Sequence, residues 1–540
     1  MTNSDAAAGG VRNFDALIVG AGFSGIYLLH RLRNLGFSCL VVEAADDIGG
    51  TWYWNRYPGA RCDIQSMIYS YSFSEELEQE WEWPSRFATQ PEILEYAEHV
   101  VERFDLRRDM QFNTRVTDAT FDDAANRWAI DTELGDRFSV QYLVMATGCL
   151  STPRRPTFKG LDSFEGDWYH TGYWPHEAVD FSGKTVGIIG TGSSAIQSIP
   201  VIAAEADQLT VFQRTPNFSI PAWNEPLTPE AAQRWMDDYP AIRQKAREST
   251  GGDIYFSNPR PMAEYSEDEA RAVLEQRWND GAFNYQSAFG DMLSNPETNR
   301  FASEYVHEKI RQRVDNPAVA ELLCPKQHPV GTKRLCVDTN YYETYNRNNV
   351  ALVDISNDSI DEITPKGLRV GATEYEFDAL VFATGFDAMT GALTAVHMTG
   401  RDGVVLKEKW IDGPRTYLGI AVAGFPNMFA ITGPGSPSVL SNMLVSIEQH
   451  VDWTVDCIAY LRDHGLDCIE PTMAAEDNWV EHVNETADAT LYPLANSWYM
   501  GDNIPGKLRI FTPYVGGVGV YRKKCDEVAA NGYEGFALGG

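Results

Sequence analysis

FDALIVGAGFSGIYLLHRLRNLGFSCLVVEA (residues 14–44) passes from an apolar run through a glycine turn and a helical pattern into a second apolar run. FDALIVG and SCLVVEA read as buried strands, and the apolar residues between them recur near helical spacing. Gly20, Gly22 and Gly25 form the pattern G-x-G-x-x-G. The first glycine turns the chain, the second lets backbone approach a pyrophosphate, and the third permits close helix packing, with the diphosphate at the helix N-terminus. Glu43 ends the second run, where an acid holds ribose hydroxyls. An unrelated glycine-rich turn accounts for the glycines but not for strand, helix and acid together, so the stretch predicts a dinucleotide site.

KTVGIIGTGSSA (184–195) repeats the device as Gly190-x-Gly192-x-x-Ala195, followed by a helix pattern, IQSIPVIAAEA, and a strand pattern, QLTVFQRT. The far end of this unit carries Arg214 and Thr215 in place of an acid. Arginine accommodates a 2′-phosphate that a carboxylate repels, which favours NADPH over NADH; the bland alternative is an exposed arginine with no ligand. Two units of unlike chemistry predict FAD plus NADPH. Strand patterns ending in Ala-Thr-Gly at 146–148 and 383–385 mark where the chain leaves and re-enters the first unit, and Pro153 and Pro156 mark a hinge. Between 222 and 332 the chain is polar and helical in pattern (EAAQRWMDDYPAIRQKARES, DEARAVLEQRW, FASEYVHEKIRQRV), with charge runs that read as solvated faces. The expected fold is α/β: two dinucleotide-binding Rossmann-type domains with a helical insertion. The expected division is 1–149 with 386–540 for FAD, 150–221 with 333–385 for NADP, and 222–332 for the insertion.

Composition narrows the function. A formal net charge of -32 sets up a field that repels nucleic acid and anionic lipid, so neither is expected as a partner. No basic start leads into an apolar run and cleavage site, and no stretch of about 18 apolar residues occurs, which predicts a cytoplasmic protein without a membrane span. Eight cysteines are dispersed without a CxxC pair, arguing for reduced thiols and against a thiol-based reductase. The ten histidines form neither HExxH nor a Cys/His cluster, so no metal site is expected. The first residues read as a disordered tip, and the chain is expected to be a monomer or weak oligomer.

Three further stretches carry chemistry. IGGTWYWNRYPGARCDIQSMIYSYSF (48–73) is crowded with Gly, Arg and aromatic residues; Trp52, Trp54, Tyr57 and Tyr69 offer flat apolar faces, and Asp63 calls for a cationic partner or solvent. GTKRLCVDTNYYETYN (331–346) places Lys333 and Arg334 in a turn-and-strand region, where basic residues are ordinarily surface decoration. NMFAITGPGSPSVLSNMLVSIEQHVDW (427–453) puts a Gly/Pro loop before a long helix whose N-terminus can stabilise negative charge, and LYPLANSWYMGDNIPGK (491–507) is fit to close over a pocket.

Two patterns are specific. Phe164-x-Gly166-x-x-x-His170-x-x-x-Trp174-Pro175 lies between the glycine loops, and Gly49, Gly50, Trp52, Tyr57, Pro58, Gly59 and Asp63 fill GGxWxxxxYPGxxxD. Together with the paired units they resemble the flavin-dependent Baeyer-Villiger monooxygenases across nearly the whole chain. From GTKRL through GPGSPS and SWY the resemblance is to the phenylacetone and steroid monooxygenase branch. It implies a ketone and molecular oxygen as substrates, NADPH as hydride donor, and ester or lactone formed through a C4a-peroxyflavin and a tetrahedral Criegee adduct. It places catalysis on Arg334, with Asp63 pairing or orienting it. FAD contacts fall on Gly20, Gly22, Ser24, Gly25, Glu43, Thr51, Trp52, Tyr53, Trp54, Asp63, Tyr69, Val116 and Met443, and Arg61 and Cys62 are further cofactor-binding residues. NADP contacts fall on Gly190, Gly192, Ser193, Ser194, Ala195, Ile196, Gln197, Ser198, Arg214, Thr215, Lys333 and Arg334. Ser438, Val439, Leu440 and Trp498 shape the pocket. His170 is read as a hydrogen-bonding hinge piece, and the segment around it as a linker coupling the two units. An N- or S-oxygenating flavin monooxygenase shares both cofactors; Trp174-Pro175 and Arg334 favour the ketone chemistry.

Overall fold

The computed structural model describes residues 10–539; residues 1–9, where the disordered tip was expected, and residue 540 lie outside the described residues. Arg12–Val19 is the centre of the first sheet. It pairs in parallel with Cys39–Val42 on one side and Arg137–Met145 on the other. Met110–Gln111 extends the sheet beyond Cys39–Val42, and Met428–Ala430 pairs in parallel with the end of Arg137–Met145. All four residues of Cys39–Val42 are buried, as a parallel sheet covered on both faces requires. The start of Arg137–Met145 pairs antiparallel with Arg127–Thr132, which pairs with Val116–Asp122 to complete the meander. His397–Thr399 adds to the outer edge of that meander, so chain beyond 386 rebuilds the first sheet.

The second sheet has five parallel strands in the order Val350–Asp354, Gln208–Gln213, Thr185–Ile189, Ala379–Phe382, Asp167–His170. Its last member corrects the linker reading of FEGDWYHTGYWP. Asp167–His170 is an edge strand in register with Ala379–Phe382, because its backbone groups find ladder partners there.

Four helices fill the insertion: Pro229–Glu248, Glu267–Asp280, Pro296–Arg313 and Pro317–Leu323. Each starts on a side-chain cap, from Thr228, Ser266, Asn295 and Asn316 in turn, and three carry proline in the first turn. A short parallel ladder between Ser219–Pro221 and Cys336–Asp338 closes the insertion and brings Lys333 and Arg334 to the seam between the sheets.

The chain crosses that seam twice in one place. Arg154 N donates to Gly385 O at 2.9 Å, Asp387 N to Thr152 O at 2.9 Å, and Met389 N to Cys149 O at 2.8 Å, so the two crossings run antiparallel and bonded. Among the described residues no helix is long and apolar enough to cross a membrane.

Candidate active site

The two glycine turns are built alike. Gly20 and Gly190 hold φ of 111° and 119°, a region open to glycine. A Cβ on Gly25 would stand 1.9 Å from Gly20 O, and one on Gly190 2.5 Å from Ala383 O, so both turns are packed to the backbone. Gly192 differs: a Cβ there would meet nothing within 4 Å, which leaves an open cradle in front of the turn. The helices that follow, Phe23–Asn34 and Ser193–Glu205, have no side-chain cap and no acid in the first turn. Their leading N–H groups are left for an anion, in contrast to the capped insertion helices. These features fit the diphosphates of two dinucleotides. Glu43, buried, accepts from Ala21 N at 2.7 Å and Ala45 N at 2.8 Å, one bond per carboxylate oxygen, which leaves lone pairs for ribose hydroxyls.

Arg214 stands exposed just past Gln208–Gln213. Burial lowers the pKa of Lys333, the charge of Arg214 lowers it further, and Asp502 opposes both. Two cations facing one space suit a phosphate. Thr191 Oγ1 donates to Thr215 O at 2.7 Å, and Ser193 Oγ lies 3.3 Å from Cys336 Sγ, tying the turn to the strand that follows Arg334.

Three residues of this helix turn their side chains inward. Ala195 and Ile196 are fully buried in the second core, and Ser198 is fully buried with its hydroxyl turned back on Ser194 O at 2.7 Å. Gln197 spends its amide on the other unit, accepting from Tyr57 OH at 2.8 Å and donating to Arg61 O at 3.1 Å. A Cβ on Gly59 would lie 2.3 Å from Gln197 O, so the Tyr-Pro-Gly turn is seated directly on this helix. Gln197 is therefore a joint between the units.

On the flavin side Trp52 Nε1 donates to Tyr69 OH at 3.1 Å, and both rings belong to the first core. Ser24 is buried in the first turn of its helix, while Thr51 is exposed at the head of Thr51–Trp54. Tyr53 donates to Asp46, and Tyr53 and Trp54 meet His176 and Tyr173 at 4.8 and 6.0 Å between centroids. Burial raises the Cys62 thiol well above its usual pKa, which keeps it protonated. Burial lowers the pKa of Arg61, with Glu92 opposing. Val116 opens the meander beside Thr114, whose N–H bonds Glu43 O at 2.7 Å. Met443 opens Met443–His464, whose cap Asn442 accepts from Leu444 N at 3.1 Å and donates to Ile68 O at 2.7 Å.

Arg334 and Asp63, 271 residues apart, meet at the seam. Nε and Nη2 of Arg334 donate to Asp63 Oδ2 at 3.0 and 2.7 Å, and Nη1 donates to Val439 O at 2.8 Å. The two side chains are 22% and 23% exposed, so each can be reached. Burial opposes the Arg334 charge, but Asp63 outweighs it and holds the guanidinium above its ordinary pKa. Phe283 lies under the guanidinium at 4.6 Å. Burial pushes the Tyr499 phenol up to about 12, with Arg334 pulling it down. Ser438 holds φ at 40°, and its Oγ is 3.3 Å from Cys149 Sγ. Leu440, Met443 and Trp498 pack on a cluster of Cys149, Met389, Val439, Tyr492, Tyr499, Met500 and Phe511. A permanent cation beside an apolar wall suits a carbonyl with apolar substituents. Two participants escaped the sequence, Tyr499 and Phe283, while Val439, expected in the pocket, takes part through its carbonyl. SWY pointed at Tyr499; nothing pointed at Phe283.

His170 is buried and neutral. Its Nδ1 accepts from Gly172 N at 3.0 Å, leaving Nε2–H to donate to Thr384 Oγ1 at 3.1 Å, which donates in turn to Arg154 O at 3.2 Å. Burial lowers its pKa to about 4. Unfolding returns it to about 6.5, so its contribution is fully present above that pH and is lost as pH falls toward 4, roughly 3 kcal/mol at most. His170→Asn is expected to flatten the fall of stability between pH 6.5 and 4, read from denaturation midpoints across that range; an unchanged slope would refute the assignment.

Comparison with known proteins finds relatives along nearly the whole chain. Residues 17–238 match the model of a pyridine nucleotide-disulphide oxidoreductase family, although all eight cysteines are free. The 2-oxo-Δ3-4,5,5-trimethylcyclopentenylacetyl-CoA monooxygenase of Pseudomonas putida is 41% identical, covering 97% of this chain and 98% of its own. A Baeyer-Villiger monooxygenase of Pseudooceanicola batsensis is 41% identical, over 96% of this chain and 95% of its own. Among solved structures, an oxidized steroid monooxygenase bound to NADP is 52% identical with a TM-score of 0.94, over 98% of this chain and 99% of that one.

Proposed function

The chain belongs to the flavin-dependent Baeyer-Villiger monooxygenases, and from that premise we propose that it turns aryl, cyclic or steroid ketones into esters or lactones. It is an FAD-containing monooxygenase that uses NADPH and oxygen. When bound, the flavin and nicotinamide supply hydride transfer and oxygen activation. The remainder falls to side chains. In this reading 1–149 with 386–540 hold FAD, and 150–221 with 333–385 hold NADP. The Gly20–Gly22–Gly25 turn and Glu43 seat the adenosine end of FAD; Gly190, Gly192, Arg214 and Lys333 seat NADPH.

The observation that carries the proposal is the Arg334–Asp63 pair. Adding an oxygen nucleophile to a ketone puts negative charge on the former carbonyl oxygen, and a fixed cation that cannot lose its proton lowers that cost. Asp63 holds the guanidinium plane through two bonds, and the apolar wall beside it offers a surface to the ketone's substituents. Serving both the nicotinamide end and the oxygen end requires Arg334 to move between two positions, exchanging its bond to Val439 O.

A panel of linear, cyclic, aryl and steroid ketones tests the reading: the yellow protein should consume NADPH and oxygen and release ester. Hydroxylated amines with no ester from any ketone would replace it with the N-oxygenating alternative. For the cofactor, Arg214→Ala is expected to raise KM for NADPH about 10- to 100-fold and leave that for NADH almost unchanged. An equal effect on both would remove the 2′-phosphate role. Dispersed, unpaired cysteines support a cytoplasmic enzyme; sedimentation distinguishes a monomer from a weak oligomer.

A further inference from the structure

Between the helices Glu267–Asp280 and Pro296–Arg313 the insertion makes an expensive turn. Gly281 and Ala282 hold φ of 75° and 50°, two consecutive left-handed residues, the second a fully buried alanine. Left-handed backbone is unfavourable for a residue with a Cβ and persists where surrounding structure imposes it. Here the surroundings are fixed on all sides. A Cβ on Gly281 would stand 2.6 Å from Pro221 O, Asn284 Nδ2 donates to Gly281 O at 3.1 Å, and Tyr285 OH donates to Ala302 O at 2.6 Å. The residue this turn delivers is Phe283.

Phe283 is only partly buried, yet it packs against both principal cores, the one built on the first sheet and the one built on the second. Its ring face lies 4.6 Å from the Arg334 guanidinium carbon, and Tyr255, buried, stands behind it at 6.2 Å between centroids. Asp63 holds one edge of the guanidinium and Val439 O takes Nη1, both in or near its plane, whereas the Phe283 ring meets it from the face. An aromatic face attracts a cation through its quadrupole.

We propose that the helical insertion completes the cation site, with Phe283 as a positioning residue that fixes the height and tilt of the Arg334 guanidinium. This rests on the catalytic reading of Arg334. The insertion is then a working part of the active site, contributed by a region whose sequence announces only solvated helices.

The test replaces Phe283 in the holoenzyme with mono-, di- and trifluorophenylalanine, which keep the ring's shape while draining its quadrupole. Ester-forming kcat should fall in graded order, about 2- to 30-fold overall, with KM for the ketone unchanged and a rising share of NADPH oxidised without ester. A flat series would overturn the inference and leave the family reading standing. A second readout needs no turnover: in thermal unfolding of the holoenzyme, the Tm losses of Phe283→Leu and Arg334→Ala should be non-additive in the double variant, and strict additivity would also overturn it. Wild-type protein that makes ester from no ketone would instead sink the proposed function, while the unfolding cycle would still judge the contact.

Discussion

Arg334→Ala should bind FAD, stay yellow, and make ester at least about 10²- to 10³-fold more slowly than the unaltered enzyme. The magnitude follows from what the side chain supplies: two hydrogen bonds to Asp63, one to Val439 O, and a charge held above its ordinary pKa by the carboxylate beside it. Removing it leaves Asp63 without its partner, but at 23% exposure that carboxylate can hydrate, so the fold survives. Arg334→Lys is expected to rescue little. An ammonium cannot hold the flat two-bond grip on Asp63, and it sheds its proton more readily when buried. Ester product, measured against flavin content in the same sample, checks both; retained lactone formation in the alanine variant would remove Arg334 from the mechanism.

Gly25→Ala is expected to yield protein without flavin. The new methyl would lie 1.9 Å from Gly20 O, so the turn must open and carry the uncapped start of Phe23–Asn34 away from the diphosphate. Gly192→Ala makes the contrast, since its methyl meets nothing within 4 Å. That variant should fold, hold FAD and keep its Tm, while KM for NADPH rises steeply because the methyl fills the cradle. Absorbance of bound flavin and NADPH saturation curves separate the two. A yellow Gly25→Ala enzyme with ordinary turnover would mean that the turn is not the flavin seat.

The same contrast shows what a sequence discloses. Both glycine turns, their strands and their helices are legible because local spacing dictates them: the strand period, the turn and the helix start lie within about thirty residues. The insertion helices are legible for a similar reason, since their polar, helix-forming runs are local; their caps become visible only in the structure. Asp63 and Arg334 are legible only as suspects, since their pairing spans 271 residues and depends on how two sheets dock. That Gln197 bonds Tyr57 and Arg61 of the other unit could not be read, because helix position alone does not tell which face the neighbouring unit will cover. The edge strand Asp167–His170 was hidden because a four-residue strand of aromatic and polar residues has no periodicity to read. Phe283 was invisible, because its role is set by a left-handed turn and by a partner from another part of the chain.

The two crossings between the sheets, bonded side by side through Arg154, Asp387 and Met389, carry a consequence for modularity. Pro153 and Phe386 pair across the two crossings, so the segment between them enters and leaves its host through a single doorway. A cassette with adjacent ends can be exchanged between homologous proteins without lengthening or straining the recipient chain. Chimeras that swap 150–385 as a block should keep the flavin seat intact, whereas grafts cut at one crossing alone would sever the doorway's own hydrogen bonds.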